Sequence, residues 1–195
     1  MPPVIGIVPG SRKSEVHANL PNLSRIAEQI SHQFPSARFL IPTMPATDSI
    51  VAAEIDVRTA CAIDFKQCAF DEFVRQCDLC LCKSGTSTLH VAAWNVPMIV
   101  VYHVNPILWH VVGRWLVKTK KIVMVNILAG QRDLVPEFIP FSDPDAVANC
   151  AIDLLKNPEK LESQRRELKE LSAPLDHRGA SMNAAKLAME LMEKG

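Results

Sequence analysis

The sequence predicts a doubly wound α/β fold, a parallel sheet with helices on both faces, and three observations carry that prediction. Short apolar runs recur at residues 4–8, 37–42, 78–82 and 97–102. Between them, apolar residues return at the three- and four-residue spacing of buried helices. Pro9-Gly10, Ser84-Gly85-Thr86 and Asn105-Pro106 punctuate the junctions. Strands that alternate with helices specify a parallel sheet. A length of 195 residues allows one well-cored domain and is short for two, so residues 1–195 are expected to form a single domain.

Taken in order, Val4-Ile5-Gly6-Ile7-Val8 is a continuous apolar run ended by Pro9-Gly10, the signature of a strand buried on both faces. Leu20, Leu23, Ile26, Ala27 and Ile30 then mark a helix reaching about Phe34. Residues 37–42 read as the next strand, completing a β-α-β unit. The following stretch is less legible, with a helix expected around residues 47–55 and a short strand around 58–63. A helix through Phe70, Phe73 and Val74 precedes a strand at 78–82. After the Ser84-Gly85-Thr86 turn come a helix over 89–94 and a strand over 97–102. Beyond Asn105-Pro106 an almost wholly apolar helix is expected over 107–117, a basic turn over 118–121 and a strand over 122–125. The tail reads as helices over 143–156, 158–171 and 176 onward.

The charge balance of 21 basic and 21 acidic residues leaves no global field to draw nucleic acid or an anionic membrane, so any anion site must be local. The chain opens without a basic leader or a cleavable apolar segment, which reads as cytoplasmic. Cys77, Cys80 and Cys82 invite a metal reading, but no second close-spaced pair completes four ligands, and buried core thiols are expected instead. The apolar stretch 96–117 is interrupted by His103, Asn105-Pro106, His110 and Arg114, against a membrane span. Trp109 and Trp115 with Arg114, Lys118, Lys120 and Lys121 suit a peripheral membrane contact, or equally a buried helix with cations at its negative dipole end.

Open α/β sheets bind ligands beyond the carboxyl ends of their strands, so the loops there matter most. The first, Pro9-Gly10-Ser11-Arg12-Lys13-Ser14-Glu15, combines a tight turn, a helix N-terminus and a fixed cation, or is a plain turn with a solvated Arg12. It has neither Walker nor dinucleotide-fingerprint spacing. The second, Lys83-Ser84-Gly85-Thr86-Ser87-Thr88, offers backbone amides to a diphosphate or merely caps a helix. The third, Asn126-Ile127-Leu128-Ala129-Gly130-Gln131-Arg132-Asp133, presents an amide after a strand or forms a turn. His90 falls on the helix after the second loop, while His103 and His110 suit packing or surface roles.

In order, these loops resemble the C-terminal half of bacterial lipid-A-disaccharide synthases, B-type glycosyltransferases built of two facing Rossmann-like domains. The likeness rests on Pro9-Gly10-Ser11-Arg12 with Glu15, Ser84-Gly85-Thr86 with Thr88-Leu89, Pro97-Met98, Leu116-Val117-Lys118-Thr119, and Asn126-Ile127-Leu128-Ala129-Gly130 leading to Leu134-Val135-Pro136-Glu137. It spans almost the whole chain. The resemblance implies a UDP-sugar donor, UDP-2,3-diacylglucosamine, and an acylated glucosamine 1-phosphate acceptor joined at the inner face of the cytoplasmic membrane. Carried over by match, Arg12 and Asn126 are catalytic. Gly10, Ser11, Glu15, Ser84, Gly85, Thr86, His90 and Arg132 bind substrate. No metal, cofactor or nucleic acid is implied, because amides and Arg12 take the place of a metal on the diphosphate.

The chain departs from the family pattern in three respects. His90 stands where the family has a Glu suited to ribose hydroxyls, and a neutral imidazole accepts only one hydrogen bond, so His90→Glu is expected to tighten UDP binding. Gln131 is an extra residue between Gly130 and Arg132. The acceptor-binding N-terminal domain has no counterpart in these residues. Two alternatives stay open: a non-catalytic nucleotide-sugar-binding module or partner subunit, and another UDP-sugar enzyme of the same fold, such as a hexosamine 2-epimerase.

Overall fold

The computed structural model describes residues 1–58, 61–103, 121–175 and 180–193. Its centre is a six-stranded, wholly parallel sheet: β1 (Val4–Val8), β2 (Arg38–Thr43), β3 (Ile63–Gln67), β4 (Leu79–Lys83), β5 (Met98–Val101) and β6 (Glu137–Phe138), in the order β3-β2-β1-β4-β5-β6. The order reverses between β1 and β4, which lie side by side with Ile5 opposite Leu79 and Val8 opposite Cys82. The helices are α1 (Lys13–Gln33), α2 (Asp48–Arg58), α3 (Phe70–Val74), α4 (Ser87–Ala93), α5 (Met124–Leu128), α6 (Pro144–Lys156), α7 (Pro158–Ser172) and α8 (Ala180–Glu193).

Side chains alternate across a strand, and here both faces are apolar. Ile5, Ile7, Leu79, Leu81, Ile99 and Val101 pack on one face against Val16, Leu20, Leu23, Ile26, Ala27 and Ile30 of α1 and against Val147, Ala148 and Ala151 of α6. Val8, Cys80, Cys82, Met98 and Val100 pack on the other with Phe73, Val74, Val91, Val125 and Leu168. The α1 stripe is the one the sequence predicts, and it continues through Pro21, whose missing N–H costs the helix one hydrogen bond. Gly6 must be glycine. A Cβ there would lie 2.8 Å from Cys77 Sγ and Phe73 Cζ and 2.9 Å from Cys80 Sγ. Cys77, Cys80 and Cys82 are buried core residues, and the Cys80 thiol together with burial pushes the Cys77 thiol far above its ordinary range.

Two expected strands differ. The strand expected around residues 58–63 is β3 at Ile63–Gln67, on the sheet edge, where Asp64, Lys66 and Gln67 face outward and hide the apolar signature. The strand expected at 122–125 is instead two residues of connection, Ile122 and Val123, running into the first two residues of α5. A short apolar run does not distinguish strand from helix by period alone. The place beside β5 is taken by β6, whose Phe138 pairs with Val101. The helix expected at 107–117 and residues 118–120 of its basic turn lie outside the described residues, as does the Leu116-Val117-Lys118-Thr119 match. Among the described residues no helix is long and apolar enough to cross a membrane.

Candidate functional site

A cleft of about 1470 Å³ opens beyond the carboxyl ends of β1, β2 and β4, at the point where the strand order reverses. That is the position at which doubly wound sheets bind ligands. The first loop forms one wall. Gly10 has φ +127°, a conformation that side chains rarely adopt, and a Cβ there would lie 2.6 Å from Glu15 Cβ. The turn therefore folds tightly onto α1. Glu15 Oε2 accepts hydrogen bonds from the backbone N–H of Ser11 (3.0 Å) and Arg12 (3.3 Å). Its Oε1 accepts from Arg12 Nη1 (3.2 Å) and Lys83 Nζ (3.0 Å). Burial raises the Glu15 pKa, but the Lys83 ammonium and the Arg12 and Ser11 amides outweigh it and hold the carboxyl below its ordinary range.

Glu15 is thus a tie between the loops after β1 and β4. It uses the two first-loop amides that the sequence reading offers to an anion. Arg12 remains available, since its side chain is 79% exposed and only one of its nitrogens is engaged. Asn19, buried on the next turn of α1, donates to the carbonyls of Pro9 (3.1 Å) and Glu15 (2.7 Å) and secures the loop from beneath.

The second loop forms the facing part of the cleft. Ser84 N–H donates to Val101 O (2.8 Å), so Ser84 belongs to the sheet and does not line the cleft. Gly85, Thr86 and Ser87 do line it, and their amides have no acceptor among the described residues. Thr88, fully buried, donates its hydroxyl to Gly85 O (2.7 Å) and fixes the turn. A Cβ on Gly85 would lie 3.8 Å from Lys83 Nζ, so the ammonium sits close beside this loop.

The third wall was only partly legible. His90 Nε2 lies 2.6 Å from Asp71 Oδ1, which also accepts from Trp94 Nε1 (2.9 Å). All three line the cleft, with Phe70 5.2 Å from the His90 ring. Sequence reasoning missed Asp71 and Trp94, and it read Lys83 only as a member of its loop. The strand-end position of Lys83 was the signal that could have singled it out. Asp71 follows the least legible stretch and carried no signal.

Two expected site residues lie elsewhere. Asn126 is not at a strand end but within α5, fully buried, where its Nδ2 donates to Val135 O (2.8 Å) and its Oδ1 accepts from Val135 N–H (2.9 Å). Held in this clasp, the amide is fully buried and does not line the cleft. Arg132 donates from Nε to Ala129 O (2.8 Å) and borders a separate hollow with Leu128, Glu170 and Pro174. The extra Gln131 is absorbed in the turn that ends α5. Gly130 (φ 73°) and Gln131 (φ 65°) are both left-handed there, and Gln131 N–H donates to Asn126 O. The Asp-x-Asp spacing Asp143-Pro144-Asp145 caps α6 through Asp143 and pairs with Arg25 through Asp145 (2.8 Å). Neither carboxylate lines the cleft.

The family model for lipid-A-disaccharide synthetase matches residues 2–191. The chain belongs to the lipid-A-disaccharide synthase family. It is 34% identical over 192 residues to the lipid-A-disaccharide synthase of Anaeromyxobacter sp. (strain K), covering 96% of this chain and 49% of the relative. With that of Gluconobacter oxydans (strain 621H) it shares 35% over 201 residues, covering 98% and 46%. The chain spans about half the length of the curated relatives it matches. Among solved structures, Acinetobacter baumannii MurG superposes with a TM-score of 0.58 at 16% identity, covering 97% of this chain and 50% of that one. UDP-GlcNAc 2-epimerase from Neisseria meningitidis gives 0.57 at 13%, covering 99% and 44%. At such identities these neighbours show the fold alone, that of one half of a B-type glycosyltransferase, as the sequence predicts.

Proposed function

We propose that this chain is the donor half of a lipid-A-disaccharide synthase-type glycosyltransferase and holds a UDP-sugar, UDP-2,3-diacylglucosamine, in the cleft at the sheet's switch point. The observation that carries the reading is the meeting there of amides at Gly85, Thr86 and Ser87, unpartnered among the described residues, with the exposed Arg12 guanidinium. Backbone N–H groups and fixed cations are the complement of a diphosphate. The acylated glucosamine 1-phosphate acceptor meets the donor across the cleft, on the half of the relatives that this chain does not span. The acyl chains of both substrates bring the assembled enzyme to the inner membrane face as a peripheral protein.

The reaction is a direct displacement at the anomeric carbon of the donor sugar, with inversion and with UDP as leaving group. Negative charge grows on the diphosphate as the glycosidic bond breaks. Backbone amides fixed by the turn, joined by the Arg12 guanidinium, meet that growing charge and so favour the transition state over the bound donor. Asn126 and Arg132 serve this site indirectly. Asn126 fixes the α5 connection, and Arg132 closes its end.

Arg12→Ala tests the reading. It removes a half-free guanidinium whose ion pair with Glu15 is exposed, so stability should change by no more than ~0.5 kcal/mol. UDP binding should weaken by about 1.5–3 kcal/mol, the worth of a charge-assisted hydrogen bond. Titration calorimetry measures the second and thermal unfolding the first. A folded wild-type chain that does not bind UDP would remove the donor site altogether.

A further inference from the structure

The cleft also holds a carboxylate that a diphosphate site has no use for. Asp71 lies in the first turn of α3, lines the cleft and is half exposed. Its Oδ1 accepts from both His90 Nε2 (2.6 Å) and Trp94 Nε1 (2.9 Å), and its Oδ2 has no hydrogen-bond partner among the described residues. Both donors are themselves braced. The His90 ring packs 5.2 Å from Phe70, and the Arg75 guanidinium lies over the Trp94 ring at 5.2 Å. Donation from Trp94, followed by the nearby His90, holds the Asp71 carboxyl below its ordinary range, so it is ionised at neutral pH.

An ionised carboxylate only accepts hydrogen bonds and repels phosphate, so the ligand must turn a donor such as a hydroxyl toward it. Two rigid donors on one oxygen fix the plane of the group and leave the other oxygen directed. The position fits as well. Asp71 meets His90, one turn along α4 from Thr86, and lines the same cleft as the amides proposed for the diphosphate. In a nucleoside diphosphate, the hydroxyls next to the phosphates on the nucleoside side are the vicinal pair of the ribose.

Building on the donor-site reading, we infer that Asp71 accepts hydrogen bonds from the vicinal diol of the nucleotide ribose, with His90 and Trp94 as its positioning residues. The consequence for His90 reverses the expectation from sequence. A glutamate at this position would face Asp71 with a second negative charge and would weaken the nucleotide site.

The test compares UDP, 2',3'-dideoxy-UDP and inorganic pyrophosphate by calorimetry on the whole chain and its variants, with thermal melts to check folding. Asp71→Asn should lower UDP affinity about 10- to 100-fold, leaving pyrophosphate unchanged. Dideoxy-UDP should bind wild type and Asp71→Asn equally weakly. His90→Glu should weaken UDP. His90→Ala should lose affinity for UDP but not for dideoxy-UDP, and His90→Gln, which keeps an N–H donor, should restore it. The assignment is overturned if Asp71→Asn binds UDP as wild type does, if dideoxy-UDP loses as much as UDP in that variant, or if His90→Glu tightens UDP. Wild-type chain that binds neither UDP nor pyrophosphate overturns the donor site itself, and this assignment with it.

Discussion

Replacing Asn126 by Ala separates a structural clasp from a catalytic contact. The side chain is fully buried and pairs with both backbone groups of Val135, donating to its carbonyl at 2.8 Å and accepting from its N–H at 2.9 Å. Truncation leaves two buried backbone groups without partners and opens a small void. At ~1–3 kcal/mol for each stranded group the cost is about 2–6 kcal/mol, a large share of the ~5–15 kcal/mol that holds an ordinary domain together. For a chain of this size, with roughly 2–4 °C per kcal/mol, the melting temperature should fall by about 4–24 °C. Asn126→Asp is the sharper control. It keeps the acceptor for Val135 N–H but sets an oxygen against Val135 O, so it should destabilise comparably despite its shape. Differential scanning calorimetry gives the stability, and UDP titration well below the melting range gives the binding. An Asn126→Ala variant that melts like wild type yet loses UDP would refute the clasp and return Asn126 to the binding surface.

Two further outcomes follow from the packing around the cleft. The Glu15 carboxyl is held below its ordinary value near 4.5, so its ties contribute stability that is fully present above that pH and is lost as the pH falls through the lower folded value. Melting temperatures measured from pH 6 down to pH 3 should therefore fall more steeply for wild type than for Glu15→Gln, and parallel curves would count against the tie. Gly6→Ala forces a methyl to within 2.8 Å of Cys77 Sγ and Phe73 Cζ, and should cost about 1–3 kcal/mol by denaturant unfolding. Adding Cys77→Ala should recover part of that loss, and strict additivity of the two changes would show that they do not share the space.

The central fold was legible because the strands that build it are buried on both faces. Val4–Val8 and Leu79–Lys83 read as apolar runs, and the α1 stripe keeps its period across Pro21. Legibility failed where burial is one-sided or borrowed. β3 sits at the sheet edge with polar residues outward, so its pattern is diluted. Residues 122–125 have the composition of a strand but lead into a helix that starts at Met124, and that helix is tied through Asn126 to Val135, nine residues on and outside a local window. The same distinction governs the site. The turn residues Gly10, Gly85 and Thr86 announce themselves by type, whereas Asp71 gains its place only through His90 and Trp94, which another helix brings to it.

The two strand-end loops look equivalent in sequence, yet they divide the work. In the first, the helix N-terminus and its amides already hold an anion, the carboxylate of Glu15, which also neutralises Lys83. An incoming diphosphate would have to displace a carboxylate held by four hydrogen bonds to occupy that nest. The second loop asks for no such exchange, since the amides of Gly85, Thr86 and Ser87 have no competing acceptor among the described residues. The phosphates are therefore expected on the β4 side, with the first loop serving as a rigid arm that presents Arg12. This arrangement explains how a chain with 21 cations and 21 anions still offers a local anion site. The attraction comes from amides free among the described residues and one exposed guanidinium lining the same cleft, and the internal Glu15–Lys83 pair ties both loops together before any ligand arrives.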